Sequence, residues 1–165
     1  MIESFEKTKL AGAIASGALD EVDQIIKPGV NTLKIDELCY QYINDHKAFS
    51  APLFYRGYPK SCCTSSNHVV CHGIPSEKIL NDGDILNVDV TAIKDGWHGD
   101  TSRMFVVGEC SVKAKKLIKT TYEAMMEAIK IIKAHTKIGN IGYTIQKLVE
   151  AEGFSVVRDF CGHGI

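Results

Sequence analysis

The chain has 165 residues, 45% of them hydrophobic and 24% charged, with 19 basic side chains against 20 acidic ones. That balance excludes an intrinsically disordered chain, and 14 Gly with only 4 Pro exclude collagen-like or low-complexity architecture. A formal net charge of -1 produces no overall basic field, which argues against direct nucleic-acid binding.

The first ten residues, MIESFEKTKL, carry charges and are followed by no apolar core segment, so they do not read as a secretory signal; their acidic residues also argue against a transit peptide. No stretch reaches the roughly 18 uncharged apolar residues that a membrane helix requires. Six cysteines, at 39, 62, 63, 71, 110 and 161, show no repeating spacing, and the adjacent Cys62 and Cys63 suit a disulfide framework poorly. Free thiols in a reducing cytoplasm are therefore expected.

In chain order, Leu10, Ile14, Ala18, Val22, Ile25 and Ile26 fall at helical spacing and predict a helix over about residues 4–27, stopped by Pro28-Gly29. A second helix is predicted from about Leu33 to Asp45, capped by Asn31 or Thr32, with Ile35, Leu38, Cys39 and Tyr42 apolar. Residues 50–68 have no period and read as a long irregular loop of the functional kind. Ile85–Ile93 reads as a strand rich in β-branched residues, Asp95-Gly96 as a hairpin turn, and Trp97–Val107 as the return strand. Ser111 caps a predicted helix to about Ala134. A further helix over about residues 141–152 ends at Gly153, and Phe154–Arg158 reads as a short strand.

An internal repeat runs through this order. Ile25-Ile26-Lys27, a Gly and a helix containing Ile35 recur 106 residues later as Ile131-Ile132-Lys133, a Gly and a helix containing Ile141. A complete second copy would place another hairpin near positions 191–213, so the expectation is a truncated piece of a pseudo-symmetric domain.

The hairpin holds the first candidate chemistry. A two-residue Asp95-Gly96 loop pairs Lys94 with Trp97, hence Thr91 with Asp100 and Asp89 with Ser102. Asp89, Thr91 and Asp100 then share one face, with the carboxylates diagonal at about 7–8 Å between backbones. Both aspartates facing solvent is the competing arrangement. Against it, Leu86, Val88 and Val90 form an apolar row while Asn87, Asp89 and Thr91 form a polar one, and acidic residues are poor strand formers. Two carboxylates aimed at one spot suit a hard or borderline divalent cation.

His72 and His163, in VVCHGIP and DFCGHGI, are each followed by Gly, which allows another group to approach the imidazole closely. Cys62, Cys63, His68, Cys71 and His72 crowd into eleven residues, but no C-x-x-C pair exists and a structural zinc site is disfavoured. Nothing around Cys63 or Cys71 would lower a thiol pKa, so both are expected to line a pocket as small apolar groups.

Three segments, YRGYPKSCCTSSNHVVCHGIP, LNDGDILNVDVTAIKDGWHGDTSRMFVVG and EGFSVVRDFCGHGI, resemble type I methionine aminopeptidases in order and spacing. The resemblance implies an α+β pita-bread fold, with residues 1–165 forming the first part of one metallopeptidase catalytic domain. It implies two divalent metal ions (cobalt, manganese, iron or zinc) on the inner face of the sheet. Asp89 resembles the bidentate ligand of one metal, Asp100 the carboxylate bridging both, and His163 the imidazole ligand. His72 looks like the catalytic His that contacts the scissile peptide. Tyr55, Tyr58 and Cys63 fall where the family lines its methionine pocket, and Thr91 is grouped with these substrate-binding residues. The implied activity is removal of the initiator Met from nascent polypeptides by a hydroxide bridging the two metals, in the cytoplasm, near the ribosome, with no membrane partner and as a monomer at full length.

Physical chemistry agrees with that assignment. A neutral His72 can donate a hydrogen bond to the developing oxyanion or the leaving nitrogen, and a thioether suits a slot edged by aromatics and sulfur. Two departures stand out: His68 sits where relatives more often carry Glu, and Arg56 where they more often carry His. A further His and two Glu of the family's site would lie beyond Ile165, so the chain alone is expected to be inactive. Two alternatives are a metal-free pita-bread binding module and a relative that cleaves before proline. Asp89, Asp100, His72 and His163 disfavour the first. The YRGYPKS loop and the short N-terminal region disfavour the second.

Overall fold

The computed structural model describes residues 2–165. Among these residues four α-helices, α1 (Ile2–Ile25), α2 (Thr32–Asp45), α3 (Val112–Lys130) and α4 (Ile138–Ala151), and a short 3-10 turn at Tyr55–Gly57 accompany four strands, β1 (Phe49–Ser50), β2 (Cys63–Ser66), β3 (Ile85–Lys94) and β4 (Trp97–Val106). The chain divides into two compact units, one running to Cys110 and the other from Ser111 to Gly164.

In the first unit all strands are antiparallel and β3 is central. β4 pairs along its whole length on one side, from Ile85 opposite Val106 to Lys94 opposite Trp97. The turn residues Asp95 and Gly96 have φ of 51° and 82°, the positive values that a tight two-residue hairpin matching the strand twist requires. β1 and β2 both pair with β3: Phe49 and Ser50 with Ile93 and Ala92, and Cys63 to Ser66 with Asp89 to Leu86.

Alternation along β3 separates two faces. Leu86, Val88, Val90 and Ala92 are fully buried and join Ile14, Ala15, Ala18, Leu19 and Val22 of α1 and Ile35, Cys39 and Ile43 of α2 in one core. Asn87, Asp89 and Thr91, on the opposite face, are only half-buried. The approach of α1 to the sheet is set by small residues. A Cβ at Gly99 of β4 would lie 2.1 Å from the Gly12 backbone nitrogen, so the helix can sit this close only over a glycine. Arg103 on β4 adds an ion pair to Asp20 on α1 at 2.8 Å.

A second tie joins α2 to the chain entering β2. Asp36, buried on α2, accepts from Ser61 N–H at 2.7 Å, Ser61 Oγ at 2.6 Å and Cys62 N–H at 3.2 Å, with Lys60 Nζ 3.7 Å away. One carboxylate thereby satisfies donors that would otherwise be stranded without water. The hydrogen-bonded Cys39 thiol and burial push the neighbouring Cys62 thiol well above its ordinary value.

In the second unit α3 and α4 lie against each other. Ser111 caps α3 by accepting from Ala114 N–H at 3.2 Å, and Lys116 reaches Glu152 at the end of α4 at 3.1 Å. Val112, Ile129, Ile138 and Tyr143 remain largely exposed.

Several boundaries differ from the sequence reading. Residues 50–68 are not wholly irregular, because Cys63–Ser66 forms β2. All four of its residues are buried, so small Cys, Thr and Ser show no alternation to betray a strand. α3 ends at Lys130 rather than near Ala134: Thr136 Oγ1 donates to Ile131 O at 3.1 Å and accepts from Lys133 N–H at 3.0 Å, a local side-chain alternative to continued helix. α4 starts at Ile138 despite Gly139 and Gly142, whose low propensity delayed the expected start. Phe154–Arg158 is not a strand; Phe154 instead packs its ring 5.7 Å from Lys116 Nζ.

The helical part of the repeat is present. α2 and α4 each have 14 residues, starting at Thr32 and Ile138 and ending at Asp45 and Ala151, the 106-residue offset read from the sequence.

Candidate functional site

The polar face of β3 and β4 carries the candidate site. Paired residues of an antiparallel ladder project to the same side, and the register sets Thr91 opposite Asp100 and Asp89 opposite Ser102. Asp89, Thr91 and Asp100 therefore share the face turned away from the helices. Thr91 Oγ1 donates to Asp100 Oδ1 at 2.8 Å, which holds one carboxylate oxygen in a defined orientation.

β2 brings a third element. Cys63 pairs with Asp89, so its thiol projects to the same face and is buried there to 7% exposure. Burial raises the Cys63 thiol above its ordinary value. The Tyr58 hydroxyl opposes this, and the charges of Asp89, Cys71 and Asp100 add to it. A thiol kept protonated is a small apolar wall rather than a nucleophile. Tyr58 has its own pKa pushed up, chiefly by burial and then by the Cys63 hydrogen bond. Its hydroxyl lies 3.0 Å from both Cys62 O and Gly73 O, so its one proton is shared between or alternates over the loop before β2 and the segment after it.

That loop has an informative path. Ala51 N–H bonds to Thr91 O at 2.9 Å, and Cys63 takes up pairing again opposite Asp89. Residues 52–62 thus bulge out of the sheet edge between the two β3 residues of the site. Within the bulge Phe54 and Arg56 take left-handed backbone at φ 67° and 48°, followed by Gly57 at 84°. For a bulky residue such a conformation costs about 1–3 kcal/mol and is typically kept where a loop must be shaped. Tyr55, between them, is exposed, with Arg56 5.4 Å from its ring centroid.

His72 is exposed and itself left-handed at φ 54°. Gly73 explains the position: its carbonyl accepts from Thr64 N–H at 2.8 Å and its N–H donates to Ser65 Oγ at 3.1 Å. A Cβ on Gly73 would come within 2.2 Å of Thr64 O. The glycine after His72 thus serves a close backbone approach to β2 on the side away from β3. His163 belongs to the second unit, where it is exposed with Nδ1 3.1 Å from Gly164 O.

The structure therefore gathers Asp89, Thr91, Asp100 and Cys63 on one face, with Tyr58 behind Cys63. Among the described residues no group of three or more His, Cys, Asp or Glu side chains assembles to hold a metal. Two carboxylates, one of them oriented by a hydroxyl, are nonetheless the donors that a hard or borderline divalent cation prefers. The sequence reading missed that β2 is a site strand, while Cys71, expected beside Cys63 in a pocket wall, does act on the Cys63 thiol. No periodic signal marked that strand.

Residues 6–165 match metallopeptidase family M24. The chain belongs to that family. It is 52% identical to the methionine aminopeptidase of Rickettsia prowazekii over 163 residues, which cover 99% of this chain and 63% of that protein. It is likewise 52% identical to the methionine aminopeptidase of Escherichia coli K12, over 99% of this chain and 62% of the relative. The crystal structure of the R. prowazekii enzyme superimposes with a TM-score of 0.98 at 51% identity, covering 100% of this chain and 66% of that one. The M24 chain thus has the α+β pita-bread fold with part of its sheet, and spans 62–63% of the length of these curated relatives.

Proposed function

We propose that this M24 chain forms part of a metal-dependent aminopeptidase that removes the initiator Met from nascent polypeptides in the cytoplasm. The observation that carries the reading is the convergence of Asp89 and Asp100 on one half-open face beside the Cys63 wall. In this reading Asp89 and Asp100 hold divalent cations, two in number and of the cobalt, manganese, iron or zinc class, with His163 as a further ligand. When bound, the cations supply a Lewis acid that polarises the scissile carbonyl and lowers the pKa of the attacking water.

The chain's own residues do the rest. Thr91 fixes the orientation of Asp100. Cys63, Tyr58 and Tyr55 edge an apolar slot for the thioether side chain, so that the first residue of the substrate is placed beside the carboxylates. His72, as neutral imidazole, donates a hydrogen bond to the developing oxyanion or the leaving nitrogen. No membrane or nucleic-acid partner enters this reading; encounter with substrates near the ribosome and a monomeric full-length protein belong to it.

The test is Met release from a Met-Ala-Ser peptide by purified protein with excess manganese or cobalt, beside the Asp89→Asn variant. Release that needs the metal, is lost in the variant and is absent with Leu-Ala-Ser supports the reading. Failure of the full-length protein to release Met, or full activity in Asp89→Asn, overturns it.

A further inference from the structure

We propose that Arg56 is a specificity-determining residue that favours substrates bearing a carboxylate side chain shortly after the scissile bond. The inference rests on the peptide-binding reading above and adds a charge preference to it.

The loop that carries Arg56 is anchored at both ends by the site. It leaves the sheet where Ala51 N–H bonds to Thr91 O and returns where Cys63 pairs with Asp89. Tyr58 turns inward, bonded to Cys62 O and Gly73 O, and so pins the C-terminal side of the bulge. The positive φ values at Phe54, Arg56 and Gly57 make the chain double back in a tight knot between these anchors. Side chains at the knot's tip project outward: Phe54 is 80% and Tyr55 64% exposed.

Arg56 is the cation on that tip. Its guanidinium lies 5.4 Å from the Tyr55 ring centroid, a contact that limits where the group points without cancelling its charge. Lys60 and Arg103 of the first unit are held by Asp36 and Asp20, whereas among the described residues no ion pair to a carboxylate engages Arg56. A planar guanidinium presents paired donors that match a carboxylate in a two-point bond, which a single-donor side chain does not offer. With cations held by Asp89 and Asp100 the floor of the site also attracts a carboxylate, so the contribution of the loop guanidinium is the part of the preference that Arg56→Ala removes.

The experiment compares Met-Ala peptides carrying one Asp at positions three, four or five with the same peptides carrying Asn. Binding to the full-length protein is followed by calorimetry and cleavage by Met release, both with manganese present. At one or more positions the Asp peptide should be favoured by about three- to fivefold, the size of a well-formed exposed ion pair. That ratio should fall toward one in Arg56→Ala and in 0.5 M salt, and be partly kept in Arg56→Lys. Circular dichroism confirms that the variants are folded. Equal handling of Asp and Asn peptides by the wild-type chain overturns the role of Arg56 while leaving the aminopeptidase reading intact. A folded full-length wild-type protein that neither binds nor cleaves any Met peptide overturns both.

Discussion

Thr91 and Asp100 face each other across the β3–β4 hairpin, and the threonine hydroxyl donates a 2.8 Å hydrogen bond to one oxygen of the aspartate. The carboxylate's other oxygen keeps its lone pairs for a cation, and the hydroxyl restrains the side-chain rotation that would otherwise be lost on binding. Supporting contacts of this kind are worth about 10–100-fold in metal affinity. Thr91→Val keeps the β-branched shape and removes the donor, so manganese affinity should fall by about tenfold. Thr91→Ser should retain most of it. Calorimetric titration of the three proteins reads the difference, and equal affinities would show that Asp100 needs no such support.

Cys63 supplies the second prediction. Its thiol is nearly buried and stands on the face of Asp89 and Asp100. If it walls the methionine slot, Cys63→Phe should raise the Michaelis constant for Met-Ala-Ser far more than it lowers bound metal. Metal analysis and kinetics on the same preparation separate the two effects. A variant with a normal Michaelis constant removes Cys63 from the pocket.

Asp36 tests the scaffold instead of the chemistry. Its carboxylate accepts from Ser61 N–H, Ser61 Oγ and Cys62 N–H in a buried position. Asp36→Ala strands those donors and should cost about 3 kcal/mol, read as a lowered denaturant midpoint. Asp36→Asn, which keeps an acceptor, should fall between the two. A loss below about 0.5 kcal/mol in the alanine variant would mean that water or a shifted loop satisfies the same groups.

Asp84 makes stability depend on pH. The Asn81 backbone N–H first, and then the Asn67 side chain, hold its carboxyl below the ordinary value. The 2.9 Å bond from Asn81 closes the turn before β3, and the 2.8 Å bond from Asn67 ties the end of β2 to the start of β3. A group depressed in the folded state contributes stability that is present above its unfolded value and is lost as the pH falls through the folded one. The gap in stability between wild type and Asp84→Asn should therefore be widest near pH 7 and shrink from about pH 4 downward. Urea melts at pH 7 and pH 3 measure it. A gap that does not change between them would remove Asp84 as a source of acid sensitivity.

Local signals in the sequence carried far because they were redundant. The Asp95-Gly96 turn fixes hairpin register through its own backbone geometry, and register alone decides that Thr91 faces Asp100 and shares a side with Asp89. Asn31 and Ser111 each cap the helix that follows them, since a cap needs only a side-chain oxygen and the next turn. The 106-residue repeat was legible for the same reason: helix pairs are read from local periodicity. Tertiary structure alone decided the rest. β2 exists because β3 offers an edge, Cys63 is a wall because it lands opposite Asp89, and Gly99 matters because α1 crosses over it. Each depends on residues far apart in the chain that meet only after folding. A strand of small buried residues carries no alternation, and the knot at Phe54–Gly57 comes from closing a loop between two points of one sheet edge.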